Sequence, residues 1–95
     1  MKEAAVERRL KKRVEDAGGV CMKVMPVVAG YPDRLVILPW GRFYFAETKR
    51  PVGGELRPAQ CVFFAKVGAI GAPVVVLWSV EEVDKWVDAR LAEGP

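Results

Sequence analysis

The sequence predicts an α/β fold, in which helices cover a small β-sheet, within a single domain spanning residues 1–95. Apolar residues recur at the spacing of one helix face near the start of the chain, and near-continuous apolar runs of strand length follow. A chain of 95 residues also buries enough surface to form the core of one compact domain. The predicted order is helix, three strands, helix, strand and helix.

The first helix is predicted over residues 2–17, and Gly18-Gly19 ends it. Apolar residues recur along it every three or four positions, as on one helix face: Val6, Leu10, Val14 and Ala17. Residues 20–25 are short and rich in β-forming side chains, so we expect the first strand there, closed by Pro26.

Two strands joined by a short connection follow, at residues 34–38 and 42–49. The intervening Pro39-Trp40-Gly41 favours a turn, so the strands are expected to pair antiparallel. Their near-continuous apolar character predicts that both faces of the sheet are covered by helices.

The remaining elements are a helix beginning at Pro58, a buried strand at residues 74–78 and a third helix. Ser79 and Glu82 have the spacing of a capping box, which predicts that the third helix begins there and runs to about residue 91. Its apolar residues fit either a partner interface or core packing, and the sequence leaves both open: Val83, Trp86, Val87 and Leu91.

Composition excludes several classes of function. No histidine is present, which excludes Ser/His/Asp triads and histidine-ligated zinc sites. Cys21 and Cys61 lie far apart in apolar segments, so both are predicted to be buried thiols. No apolar stretch has the length of a membrane span, and charged residues near the N-terminus disfavour a signal peptide. The expected compartment is the cytoplasm, with a phage or bacterial context left open.

The charge of the chain mildly favours a polyanionic partner. Fifteen Lys and Arg against twelve Asp and Glu give a formal net charge of +3. Several basic residues are candidates for phosphate contacts, although an ordinary solvated surface explains each equally well: Arg34, Arg42, Arg50, Arg57 and residues 11–13.

Three charged residues near the predicted hairpin are candidates for a catalytic site. Asp33 follows a proline where a strand begins, and Glu47 and Lys49 lie two apart at the end of the next strand. The alternatives are a turn-capping role for Asp33 and an ordinary ion pair between Glu47 and Lys49.

The register of the hairpin decides between these alternatives. A two-residue turn at Trp40-Gly41 would pair Asp33 with Thr48 and place it on the opposite face from Glu47. A three-residue connection over residues 40–42, or a bulge, would set Asp33 opposite Lys49 and bring all three charged residues to one face. The catalytic interpretation therefore predicts an odd connection or a bulge.

Two carboxylates at strand ends provide the oxygen ligands that Mg²⁺ prefers, and the backbone carbonyl of Thr48 is a further candidate ligand. Such a metal polarises a phosphate and activates water, while Lys49 can orient that water or neutralise developing charge. Glu7 and Glu3 lie near the apolar face of the first helix, and either is placed to reach the site, although for either alone an ordinary solvated glutamate at the helix end is the better explanation.

Three segments resemble the VRR-NUC (virus-type replication-repair nuclease) family of the PD-(D/E)xK superfamily: residues 30–36 (GYPDRLV), 47–51 (ETKRP) and 56–60 (LRPAQ). The resemblance covers nearly the whole chain and implies a restriction-endonuclease-like αβββαβ core with a mixed central sheet and a C-terminal helix. It implies Asp33 and Glu47 as metal ligands, Lys49 as the catalytic lysine and Gln60 as a supporting residue. Ala5-Val6-Glu7-Arg8 is similar to the first helix of Holliday-junction resolvases, which favours Glu7 over Glu3.

The resemblance further implies an endonuclease that depends on Mg²⁺ or Mn²⁺ and cuts branched DNA, including Holliday junctions, as a homodimer active in DNA repair. The alternative is a DNA-binding or assembly module that keeps the fold without catalysis, its carboxylates serving as caps and ion pairs. No membrane partner is expected.

Overall fold

The computed structural model describes residues 3–25 and 28–95, with nothing described for the side chain of Glu3. Seven main elements follow one another: α1 (Glu3–Asp16), β1 (Val20–Lys23), β2 (Arg34–Leu38), β3 (Arg42–Thr48), α2 (Pro58–Ala69), β4 (Val74–Leu77) and α3 (Val80–Ala92). The predicted order of elements is confirmed. Strand β1 ends at Lys23 rather than at residue 25, and the predicted closing role of Pro26 lies outside the described residues.

The strands form one four-stranded sheet in the order β1-β2-β3-β4. Strands β1 and β3 pair antiparallel with β2, and β3 pairs parallel with β4. The sheet is therefore mixed, as the predicted α/β fold requires. The long crossover between β3 and β4 contains α2, which is the usual way of connecting parallel neighbours.

One face of the sheet carries the core beneath α1 and α3. Val6, Leu10 and Val14 of α1 are fully buried and pack with residues of the sheet and α3, whereas Ala17 lies beyond the end of α1 and is half-buried. Val83 and Val87 of α3 have no exposed surface, and Trp86 and Leu91 pack against the same cluster. Core packing therefore accounts for the apolar residues of the third helix. Each such side chain contributes roughly 1.5–3 kcal/mol on burial.

The hairpin between β2 and β3 has the odd connection that the catalytic interpretation predicts. Pro39–Gly41 forms one turn of 3-10 helix, and Leu38 pairs with Arg42. Trp40 and Gly41 have φ of 70° and 75°, a left-handed conformation that closes the turn. The connection lies one residue earlier than predicted, and Arg34 consequently pairs with Ala46.

The second face of the sheet is only partly covered. Val20, Met22 and Phe43 lie on this face of β1 and β3 and are 50%, 45% and 55% exposed. The prediction of two covered faces is wrong for this half of the sheet. A helix is about 10–12 Å across and strands lie about 4.8 Å apart, so α2 alone covers about two of the four strands.

The two cysteines differ in environment. Cys21 of β1 is buried, and burial raises the pKa of its thiol. Cys61 of α2 is exposed, so the prediction of a second buried thiol is wrong. The segment around Cys61 is apolar on more than one face, so the sequence did not indicate that Cys61 points outward. Both thiols are free.

Among the residues that the structure describes, no helix has the length and apolar character needed to cross a membrane.

Candidate active site

A cavity of about 430 Å³ opens where β2 begins, β3 ends and α2 begins. Four of the residues singled out from the sequence line it: Asp33, Glu47, Lys49 and Gln60. Arg57, at the start of α2, lines the same cavity. The fold thus brings together side chains that are separated by up to 27 positions in the chain, counting from Asp33 to Gln60.

The register of the hairpin explains this convergence. Because Arg34 pairs with Ala46, the next position along, Asp33, is level with Glu47. Side chains alternate between the faces of a sheet, so Asp33, Glu47 and Lys49 share the face covered by α2. Thr48 points to the opposite face and is fully buried. Only its backbone is therefore available to the site.

Glu47 is held firmly through one of its two oxygens. Its Oε2 accepts a hydrogen bond from Gln60 Nε2 at 3.0 Å and lies 3.3 Å from Lys49 Nζ. Its Oε1 is buried and has no hydrogen-bond partner among the described residues. A buried carboxylate oxygen without a donor is costly, and a cation is one group that would satisfy it.

The environment of Glu47 disfavours its ionised form. Burial raises the pKa of this carboxyl, and the nearby carboxylate of Asp33 raises it further. Lys49 and the hydrogen bond from Gln60 act in the opposite direction without cancelling the rise. Two carboxylates that repel each other in one cavity favour the binding of positive charge between them.

Gln60 is itself fixed by the backbone. Its Oε1 accepts a hydrogen bond from the backbone N–H of Arg57 at 2.9 Å, which leaves its amide N–H groups directed at Glu47. The loop before β2 packs closely on the same helix turn. A side chain at Gly30 would place its Cβ 2.3 Å from the Ala59 carbonyl oxygen, so only glycine fits there.

The residues present fit a divalent metal of the Mg²⁺ type. Mg²⁺ is commonly bound through one or two carboxylates, with water and substrate phosphate completing its octahedral shell. Asp33 and Glu47 supply carboxylate groups to the cavity, and Glu47 Oε1 has no hydrogen-bond partner among the described residues. Within residues 3–25 and 28–95, no cluster of three metal-ligating side chains forms.

The structure does not bring Glu7 into the cavity. Its Oε1 accepts from Arg34 at 3.1 Å from Nε and 3.0 Å from Nη2, on the α1 side of the sheet. Arg34 follows Asp33 in the chain, so alternation places their side chains on opposite faces. Glu7 thus lies near the same end of β2 but across the sheet from Asp33. The alternative residue, Glu3, has a side chain outside the described part.

The structure adds contacts for two residues at the site, because the sequence suggested Arg57 only as a phosphate contact and assigned no role to Tyr31. The Arg57 backbone anchors Gln60, and Tyr31 packs on Phe63 of α2 with ring centroids 4.8 Å apart. Both lie in the segments that carry the family resemblance, and that position was the available signal. Their roles depend on α2 folding over β3, which no local pattern reveals.

Comparisons with known proteins address the family and the fold. No protein-family model matches the chain. The chain is 40% identical over 78 residues to a protein of Acyrthosiphon pisum secondary endosymbiont phage 1 named "Putative nuclease p44", covering 81% of this chain and 83% of the phage protein. A solved structure described as a VRR_NUC domain superposes with a TM-score of 0.85 and 35% identity, covering 93% of this chain and 96% of the other.

Proposed function

The chain belongs to the VRR-NUC family of nucleases, and we propose that it is a metal-dependent DNA endonuclease that hydrolyses phosphodiester bonds. One observation carries the proposal: Asp33, Glu47, Lys49 and Gln60 line a single cavity, and one buried oxygen of Glu47 has no donor in the described part of the chain. Phosphodiester hydrolysis needs such an oxygen-rich site beside an ammonium group.

Asp33 and Glu47, with the Thr48 carbonyl, would hold the metal, which we propose to be Mg²⁺, with Mn²⁺ as a substitute. When bound, a metal of this kind polarises the scissile phosphate and lowers the pKa of a water molecule. Every other contribution comes from the protein itself.

Lys49 supplies a fixed positive charge beside the reacting phosphate. Its side chain is 13% exposed and its Nζ lies 3.3 Å from Glu47 Oε2, so its position is set before substrate arrives. From there the ammonium orients the attacking water and neutralises charge that develops on the phosphate. Gln60 acts as a positioning residue, because its amide occupies Glu47 Oε2 and directs Oε1 away from it.

We also propose Glu7 as a member of the site, which requires its side chain to move. Its carboxylate accepts from Arg34, and it would have to leave that guanidinium to reach a metal held across the sheet. Cleavage by Glu7→Gln at a range of metal concentrations tests this. A higher metal requirement supports a role in metal binding, and an unchanged one restricts Glu7 to its ion pair.

The preference for branched DNA, including Holliday junctions in DNA repair, is a further proposal, and so is a homodimer. A branched junction presents two equivalent strands, which a two-fold symmetric dimer can cut together. The partly open face of the sheet supports the dimer, since Val20, Met22 and Phe43 expose apolar surface there.

The test is cleavage of branched and linear DNA of matched sequence with Mg²⁺, Mn²⁺ or chelator. Asp33→Asn, Glu47→Gln and Lys49→Met are each expected to lower the cleavage rate by about a hundredfold or more, whereas Glu81→Gln, at an exposed carboxylate of α3 that lines neither cavity, serves as the control. Cleavage that persists in Asp33→Asn and Glu47→Gln would refute the assigned site. DNA binding without cleavage under either metal would instead indicate a non-catalytic module.

A further inference from the structure

A second, smaller cavity of about 220 Å³ adjoins the proposed active site. Its lining contains no large apolar side chain: Lys49, Arg50, Gly53, Gly54, Glu55 and Arg57. Lys49 and Arg57 line both cavities, so the two are neighbours that share a wall. A polar cavity beside the catalytic lysine has no part in the hydrolysis described above.

The charge of this cavity suits an anion. Three cationic side chains and one carboxylate line it, and because Lys49 is paired with Glu47, Arg50 and Arg57 against Glu55 leave an excess of one positive charge. Glu55 is exposed and forms no ion pair with either arginine in the described residues. The lack of an aromatic or aliphatic wall disfavours a base or an apolar ligand.

The other arginines that the sequence suggested as phosphate contacts are already engaged within the protein. Arg34 binds Glu7, Arg42 binds Glu93, and Arg13 binds both Asp84 and Asp88. Arg50 and Arg57, by contrast, form no ion pair with any described carboxylate. An arginine with free donors beside a polar cavity is well suited to bidentate phosphate binding.

The backbone holds Arg50 at the edge of this cavity. Its Nη2 donates to the Gly53 carbonyl at 3.5 Å, and a Cβ at Gly54 would lie 2.4 Å from the Arg50 carbonyl oxygen. Gly53 has a φ of 77°, which favours glycine. The segment from Arg50 to Gly54 therefore forms a tight turn that any bulkier residue would open.

We propose that Arg50 and Arg57 together bind a DNA phosphate that neighbours the scissile one on the cleaved strand. The inference rests on the proposed function. The shared wall formed by Lys49 and Arg57 places this subsite directly beside the reacting phosphate. Its occupation fixes the register of the strand, so that the scissile phosphate meets Asp33 and Glu47 rather than sliding past them.

Binding of a fluorescent branched DNA is measured in chelator, where no cleavage occurs, as a function of salt. If both arginines neutralise one phosphate, Arg50→Ala/Arg57→Ala lowers the slope of log Kd against log salt by about 0.9, and raises Kd about eightfold at 0.1 M salt. Lys85→Ala removes one exposed charge from α3, on the other face of the sheet, and leaves both values unchanged. Arg57→Ala keeps the backbone N–H that anchors Gln60.

The position of the phosphate is then mapped with DNA carrying one neutral methylphosphonate at each of three linkages on either side of the cleavage point. The proposal expects one adjacent linkage to weaken binding by wild type and to have no effect on the double variant. The proposal is overturned if each methylphosphonate weakens binding equally for wild type and the double variant. It is also overturned if Lys85→Ala loses as much DNA affinity as the double variant.

Three further outcomes distinguish a terminal from an internal phosphate, and failure of the subsite alone from failure of the proposed function. If the double variant loses affinity only for DNA with a 5′-phosphate and not for 5′-hydroxyl ends, the cavity binds a terminal phosphate, and the proposed internal position is wrong. If wild type cleaves DNA but the arginine variants match it, only the subsite fails. If wild type neither binds nor cleaves DNA, the proposed function fails with it.

Discussion

Replacing Glu47 by glutamine should stabilise this protein in the absence of metal while abolishing catalysis. Glu47 is 5% exposed, and burial together with the Asp33 carboxylate raises its pKa. The ionised side chain is therefore destabilising relative to a neutral one of the same shape. The hydrogen bond from Gln60 survives, because a glutamine carbonyl at position 47 accepts it equally well.

The size of the effect follows from opposing contributions. Burying a carboxylate costs several kcal/mol even after relaxation, whereas loss of the ion pair with the partly exposed Lys49 removes about 1–2 kcal/mol of attraction. We expect a net gain of about 1 kcal/mol in the free energy of unfolding at pH 7. For a domain of this size, that gain raises Tm by about 4–8 °C.

The dependence on pH and on metal is equally specific. A carboxyl whose pKa is raised in the folded state loses stability as pH rises through that folded value, so the advantage of Glu47→Gln over wild type should grow from acidic to neutral pH. With metal at about ten times its Kd, wild type regains about 1.4 kcal/mol. Glu47→Gln lacks the proposed metal ligand, so its free energy of unfolding should rise much less with metal.

The assay is thermal unfolding of wild type, Glu47→Gln and the exposed-site control Glu55→Gln, in chelator and in Mn²⁺, from pH 5 to 8. A Glu47→Gln protein that melts below wild type in chelator at pH 7 would refute the reasoning. So would an equal rise in Tm with Mn²⁺ for both proteins, because Glu47 would then contribute nothing to metal binding.

Three other outcomes are expected. Asp84→Asn should lower Tm at pH 7, and the difference in Tm from wild type should narrow as pH falls. Hydrogen bonds from two arginines lower the pKa of Asp84 to about 2, so the stabilisation by its carboxylate is present above about pH 4 and is lost as pH falls through 2. A difference in Tm that stays constant down to about pH 2.5 contradicts this. Phe43→Glu should convert the proposed dimer to a monomer, as measured by sedimentation velocity. Val62→Glu, at an exposed position of α2, is the matched control. A dimer that persists in Phe43→Glu excludes the open sheet face as the interface. An Ellman titration of the folded protein should show one fast thiol, removed by Cys61→Ser, with Cys21 reacting only on unfolding; two fast thiols contradict the burial of Cys21.

The elements of this fold follow from local patterns. Val6, Leu10 and Val14 define a helix face by spacing alone, and the structure buries all three. Ser79 accepts from the Glu82 backbone N–H at the start of α3, as the capping-box spacing predicts. Such features depend on neighbours within about four residues, so the sequence contains nearly all the information needed.

How much of the sheet the helices cover could not be predicted from local patterns, because it depends on elements that are far apart in the sequence. The apolar hairpin predicted two covered faces, yet Phe43 is 55% exposed because a single helix is too narrow for four strands. Cys61 was predicted to be buried for a similar reason and faces outward on α2. An apolar segment predicts that part of a helix is buried, but it does not show which side of the helix faces the core.

For the site, the sequence by itself determined which residues are candidates for the proposed chemistry: two carboxylates and an ammonium, at Asp33, Glu47 and Lys49, with histidine chemistry excluded by composition. Tertiary structure decided which of them meet. The odd connection at Pro39–Gly41 puts all three on one face, and the packing of α2 brings Gln60 onto Glu47 at 3.0 Å. The same alternation placed Arg34, and with it Glu7, across the sheet, because one residue along a strand reverses the face to which a side chain points.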